Sequence, residues 1–138
     1  HREGVRIRVV GSRVGLKPAL VAKFDAAQTL TQANRRLLLQ VCFNYGARAD
    51  LVAAVEAIQR AGERVSVNQI TRHLSTYGSP PLDLLLRTGG DCRISNFLLW
   101  ELAYAELAFT PTLWPELTRE EYLGILASVA KRTRKFGR

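Results

Sequence analysis

Apolar residues alternate with arginines from Val5 to Val10. A period of two predicts a strand with one face in water. Pro18 is expected to open a helix, because proline is favoured in the first helical turn. The apolar stripe of this helix consists of Leu20, Phe24 and Ala27, a spacing typical of an amphipathic helix.

The apolar run from Leu37 to Phe43 is nearly continuous and is broken by Gln40. Such a run predicts a strand that is covered on both faces, as in a parallel sheet. A helix then begins at Asp50 or just before it and is closed by Gly62, a residue common after helix ends. The apolar stripe of this helix is Leu51, Val55 and Ile58.

Two capping-box spacings mark further helix starts. Ser66 with Gln69 predicts a short helix through Leu74, and Thr118 with Glu121 predicts the last helix. The apolar stripe of the last helix is Tyr122, Ile125, Leu126 and Val129.

Short apolar segments predict two more strands, Leu82–Leu86 and a segment around Leu107–Phe109. Between them, a helix is expected from Ser95 or Asn96. Strand and helix thus alternate four times, which predicts an α/β fold with a mostly parallel sheet and helices on both faces. The whole chain, residues 1–138, is expected to form a single domain.

Composition narrows the class of protein. With 47% hydrophobic residues the chain is globular, and its net charge of +8 suggests a polyanionic partner. Nucleic acid is not favoured, because the basic residues are scattered and not interleaved with aromatics. Cys42 and Cys92 are expected to be reduced, as in a cytosol. The absence of methionine suggests a piece of a longer chain.

The most specific segment is RTGGDCRISNFLLW, which begins at Arg87. Arg87 and Arg93 flank a Gly-Gly turn. A guanidinium group can donate two parallel hydrogen bonds to phosphate oxygens. Ser95 at the predicted helix start adds a hydroxyl and free backbone N–H groups. This combination favours a diphosphate. Alternatively, the arginines pair with Asp91, Asp83 or another carboxylate, and Ser95 is merely a helix cap.

This segment, with ELAYAELAF and LWPELTREEYLGIL after it, resembles the carboxyl-terminal signature of the cis-prenyltransferases, the undecaprenyl diphosphate synthase group. The likeness runs from about Asp83 to Gly137 and continues less distinctively in LLLQVCFNYGARADLV and VRIRVVG. It implies condensation of isopentenyl diphosphate with an allylic prenyl diphosphate. It also implies a partial family fold, without the amino-terminal strands and helices.

The resemblance assigns roles to individual residues. Arg87, Arg93, Ile94 and Ser95 match residues that hold the diphosphate of isopentenyl diphosphate, and Glu106 matches a carboxylate that helps to bind Mg²⁺. Without the resemblance, Glu106 would be interpreted as a charge at a strand edge. No catalytic residue is expected in this segment, because the family's catalytic aspartate belongs to an Asp-Gly-Asn loop upstream. The segment alone is therefore expected to be inactive.

Two positions depart from the family pattern. Asp91 stands where Glu is common, and Cys92 stands where some members carry a His of the metal site. A thiol is a poor ligand for magnesium, so that contact is expected to be lost or replaced by water.

The resemblance further implies a cytoplasmic homodimer whose lipid product gives peripheral contact with a membrane. It allows the basic tail Lys131–Arg138 to reach the partner's site, although for the cluster Lys131–Lys135 a solvated helix end is the favoured interpretation. Two alternatives stay open: a non-catalytic stabilising subunit of a prenyltransferase complex, and a basic nucleic-acid-binding module. Retention of the diphosphate residues argues against the first, and steep salt dependence of binding would identify the second.

Overall fold

The structure is a computed structural model that describes residues 1–132. The chain divides into two compact units, His1–Gly78 and Ser79–Arg138. The expectation that residues 1–138 form a single domain stays a prediction. The part of the basic tail beyond Arg132 lies outside the described residues.

The first unit is built on two parallel strands. Its elements are β1 (Val5–Val10), α1 (Pro18–Thr31), β2 (Leu37–Cys42), α2 (Ala47–Arg60) and α3 (Val67–His73). Val5 lies opposite Leu37 and Val10 lies opposite Cys42. Parallel neighbours need a crossover connection, and α1 supplies it.

The second unit repeats the parallel arrangement with shorter strands. Its elements are β3 (Leu84–Arg87), a 3₁₀ turn (Glu101–Tyr104), β4 (Glu106–Phe109), a second 3₁₀ turn (Trp114–Glu116) and α4 (Arg119–Ala130). Leu84 lies opposite Glu106, and Arg87 lies opposite Phe109. The predicted α/β fold with parallel strands is confirmed by both units.

Both capping boxes begin helices as predicted. Ser66 Oγ accepts a hydrogen bond of 3.2 Å from the Gln69 N–H at the start of α3. Thr118 Oγ1 accepts one of 3.1 Å from the Glu121 N–H at the start of α4. Each satisfies one of the free donors of a first helical turn, a contribution of about 1 kcal/mol.

The prediction that the strand after Leu37 is covered on both faces is wrong for the described part of the chain. Leu37, Leu39 and Val41 are exposed, whereas the residues between them are half-buried. A continuous apolar sequence shows that both faces of a strand could be buried. In the described residues, however, only one face of β2 is covered. The core of the first unit instead includes Val10 and Ile58.

None of the helices in residues 1–132 combines the length and the hydropathy that a membrane crossing would require.

Candidate functional site

The segment after β3 turns sharply at two glycines. Gly89 and Gly90 have φ angles of 88° and 83°, which glycine adopts without the cost that a side chain would add. The Gly89 N–H donates to the Thr112 carbonyl at 2.9 Å, and the Gly90 N–H donates to the Thr110 carbonyl at 3.0 Å. The turn is therefore tied to the segment that follows β4.

Arg87, the last residue of β3, organises the loop beyond this turn. Its Nη1 donates to Ser95 Oγ at 2.9 Å and also to the Arg93 carbonyl. Its Nη2 donates to Asp91 Oδ2 at 2.8 Å. The side chain is 26% exposed, so Arg87 is anchored on the strand while its guanidinium group lies within the loop.

Arg93 contacts the same carboxylate oxygen. Its Nη2 lies 2.5 Å from Asp91 Oδ2, and its side chain is 66% exposed. One carboxylate oxygen thus faces two guanidinium groups, which leaves an excess of positive charge. The pairing with Asp91 that the sequence suggested as an alternative is present, but it neutralises only one of the two arginines.

The prediction that a helix starts at Ser95 or Asn96 is wrong. Ser95, Asn96 and Leu98 have φ angles of 50°, 62° and 46°, which are left-handed values that a right-handed helix excludes. Ser and Asn adopt such turns readily, whereas Leu98 needs its surroundings to hold it there. No helix dipole therefore supports an anion at Ser95, and the hydroxyl and guanidinium groups remain.

The backbone of Ile94 takes part in the hydrogen bonds of this loop segment. It is half-buried, and its carbonyl accepts from the Phe97 N–H at 3.1 Å. The structure therefore places Arg87, Arg93, Ile94 and Ser95 in one loop.

Glu106 lies elsewhere in the second unit. It begins β4 opposite Leu84, three positions along the strands from the level of Arg87, or about 10 Å at about 3.3 Å per residue. Its Oε2 accepts from Arg132 Nη1 at 2.9 Å, and Arg132 also donates to the Leu107 carbonyl at 3.0 Å. The structure does not bring Glu106 into the arginine loop.

Within residues 1–132, no three His, Cys, Asp or Glu side chains group together as a metal site. Magnesium is commonly held by one or two carboxylates together with water and substrate phosphates. A lone carboxylate such as Glu106 fits that kind of site. Cys92 is exposed and Cys42 is half-buried, and neither forms a disulfide.

Asn44, which follows β2, bonds to the chain beyond the neighbouring strand. Its Nδ2 donates to the Ser12 carbonyl at 3.1 Å and to the Val14 carbonyl at 3.3 Å. Asn44 therefore fastens the segment that follows β1.

Arg8 on β1 is a titratable group with a shifted pKa. Partial burial, with the nearby charge of Arg6, lowers the pKa of its guanidinium group below the ordinary value, while Cys42 acts in the opposite direction. Its two terminal nitrogens donate to the Tyr77 and Ser75 carbonyls at 2.9 and 2.8 Å. Arg8 thus holds the segment after α3.

Comparison with known proteins places the chain in a family. A family model described as putative undecaprenyl diphosphate synthase matches residues 1–137. An isoprenyl transferase of Nitrosomonas europaea is 44% identical, with 100% of this chain and 54% of that protein covered. An isoprenyl transferase of Agrobacterium fabrum is 38% identical, with 99% of this chain and 58% of that protein covered.

Solved structures also match the chain over nearly its full length. A probable undecaprenyl diphosphate synthase from Campylobacter jejuni matches with a TM-score of 0.90 and 32% identity over 99% of this chain and 65% of that one. Lavandulyl diphosphate synthase from Lavandula x intermedia, in complex with dimethylallyl diphosphate, matches with a TM-score of 0.91 and 31% identity over 100% of this chain and 62% of that one.

The mixed α/β fold with parallel strands, together with these structural matches, identifies a prenyltransferase fold. The chain belongs to the cis-prenyltransferase family, the undecaprenyl diphosphate synthase group, and the predicted resemblance is confirmed. It spans 54% and 58% of the two isoprenyl transferases named above, so it corresponds to part of the family fold.

Proposed function

We propose that this chain takes part in prenyl chain elongation and that its arginine loop, residues 87–95, binds the diphosphate of isopentenyl diphosphate. The observation that carries the proposal is the convergence of Arg87, Arg93 and Ser95. Arg87 is bonded to Ser95 Oγ and to Asp91, and Arg93 is bonded to the same Asp91 oxygen. Two guanidinium groups and a hydroxyl therefore lie within reach of one anion.

The chemistry of these groups favours a diphosphate over a carboxylate. Guanidinium groups donate two parallel hydrogen bonds to phosphate oxygens, and a diphosphate offers several such oxygens. The Arg93–Asp91 pair is largely exposed, and exposed ion pairs contribute only about 0–1 kcal/mol. An incoming diphosphate therefore displaces Asp91 from Arg93 at little cost.

In the proposed reaction, the allylic substrate loses its diphosphate. The carbon that carried the diphosphate then bonds to the double bond of isopentenyl diphosphate. A proton then leaves the isopentenyl unit to give a cis double bond. The arginine loop would hold the attacking substrate in place and neutralise its charge. No catalytic residue is assigned here, since the sequence contains no Asp-Gly-Asn, and residues 1–138 alone are expected to be inactive.

Glu106 is proposed as a residue that helps to hold Mg²⁺. The ion, when bound, would neutralise phosphate oxygens. Glu106 would first have to leave Arg132, whose Nη1 lies 2.9 Å from its carboxylate. A cytoplasmic homodimer, an allylic prenyl diphosphate as second substrate and peripheral membrane contact through the lipid product complete the proposal, on the strength of the family resemblance.

Isothermal titration of the chain with isopentenyl diphosphate tests the proposed site. Arg93→Ala should weaken binding about 10- to 100-fold, because hydrogen bonds to charged groups contribute about 1.5–3 kcal/mol. Arg36→Ala is the matched control, since it removes an exposed arginine paired with Glu3 in the other compact unit. Equal affinities of the two variants would contradict the proposal.

A further inference from the structure

Two threonine hydroxyls in the segment after β4 converge on one carboxylate oxygen. Thr110 Oγ1 donates to Glu121 Oε1 at 2.6 Å, and Thr112 Oγ1 donates to the same atom at 2.9 Å. The Thr112 N–H donates in turn to Thr110 Oγ1 at 3.2 Å. Thr110 is only 6% exposed. Thr110 Oγ1 also lies 3.2 Å from Thr112 Oγ1, and because Glu121 Oε1 accepts from both hydroxyls, this carboxylate fixes both side chains.

The same two threonines hold the glycine turn of the arginine loop. The Thr110 carbonyl accepts from the Gly90 N–H at 3.0 Å, and the Thr112 carbonyl accepts from the Gly89 N–H at 2.9 Å. The Thr110 N–H donates to the Arg87 carbonyl at 3.0 Å. Each end of the turn is therefore bonded to a residue that Glu121 fixes.

We propose that Glu121 is a positioning residue for the diphosphate loop and acts through Thr110 and Thr112 on the turn at Gly89 and Gly90. The ligand part of this inference rests on the proposed function. The turn needs support because glycine has more conformations to lose than any other residue. A loop that spends less time in the binding conformation has an apparent affinity reduced by that fraction.

Glu121 does more than cap its helix. In a capping box the acidic side chain turns back to the first residue of the box, but here Glu121 Oε1 accepts from the two threonines. The cap itself is formed by Thr118 Oγ1 and the backbone N–H of Glu121. The cap and the anchor are therefore separate interactions, and different variants remove them.

Hydrogen exchange and binding of inorganic diphosphate, both measured on the complete chain, test the inference. Glu121→Ala should speed amide exchange at Gly89 and Gly90 about tenfold and weaken diphosphate binding about tenfold, because two hydrogen bonds to a charged group are lost. Glu121→Gln should restore both values, since an amide oxygen accepts the same two hydroxyls. Thr118→Ala should destabilise α4 and leave exchange at the two glycines unchanged.

Three results would overturn the anchor. The first is wild-type exchange and affinity in Glu121→Ala, the second is equal behaviour of Glu121→Ala and Thr118→Ala, and the third is a Glu121→Gln variant that behaves like Glu121→Ala. If Glu121→Ala does not fold, Thr110→Val and Thr112→Val remove the hydroxyls from side chains of similar shape and must speed exchange at the glycines. If the wild-type chain does not bind diphosphate, the proposed function fails, and the exchange rates still decide whether Glu121 holds the turn.

Discussion

Arg87 and Ser95 are joined by a hydrogen bond of 2.9 Å from Nη1 to Oγ. This contact connects the end of β3 to the far end of the arginine loop. The loop is thus folded back on itself before any ligand arrives, which lowers the entropy lost on binding.

Ser95→Ala should weaken isopentenyl diphosphate binding about tenfold, because the hydroxyl both orients Arg87 and offers a donor to the ligand. Isothermal titration measures the change. Ser128→Ala is the control, since Ser128 is exposed and its hydroxyl donates to the Ile125 carbonyl within α4 at 2.8 Å. A Ser95→Ala variant that binds as tightly as Ser128→Ala would argue against a role for this hydroxyl.

Arg132→Ala should strengthen divalent cation binding at Glu106 about fivefold, because the cation no longer has to displace a guanidinium group whose pairing with the carboxylate contributes about 1 kcal/mol. Paramagnetic broadening of the Glu106 and Leu107 amide signals by Mn²⁺ reports the binding. Arg119→Ala removes another cation of the same unit and should change little. Broadening that persists in Glu106→Gln would place the cation elsewhere.

Ile58→Ala should lower the free energy of unfolding by about 2–5 kcal/mol, because it opens a cavity in the core. Ile58 is 0% exposed, whereas Val52 on the same helix is 58% exposed. Val52→Ala should therefore cost less than about 1 kcal/mol. Urea unfolding of both variants measures the difference, and similar losses would mean that α2 packs through another face.

Arg8→Ala should lower the free energy of unfolding by about 1–3 kcal/mol, since it leaves the Ser75 and Tyr77 carbonyls without their guanidinium donor. Arg6, on the same strand, is exposed. Arg6→Ala should therefore change the free energy of unfolding by less than about 0.5 kcal/mol. Chemical denaturation at neutral pH compares them. Equal stability of the two variants would show that Arg8 does not fasten this segment.

Elements with local signals were predictable from sequence. Proline at the start of α1 and the capping residues Ser66 and Thr118 act within one turn of the helices that they begin. Their neighbours along the chain are sufficient to decide the structure, and the structure confirms all three helix starts.

Features decided by distant contacts were not predictable. The helix expected at Ser95 is replaced by left-handed residues in a loop where Arg87, eight positions earlier, bonds to Ser95. The partner of Glu106 comes from Arg132, far along the sequence. Glu121 was visible only as a capping residue, because its threonine partners lie outside its own helix.

The central claim is that the arginine loop binds the diphosphate of isopentenyl diphosphate, and chemical-shift mapping tests it most directly. Titrating the labelled chain with isopentenyl diphosphate should give saturable shifts of the Gly89, Gly90, Ile94 and Ser95 amides, and isopentenol should give none. Saturable shifts confined to residues outside the loop, or equal responses to both compounds, would contradict the claim.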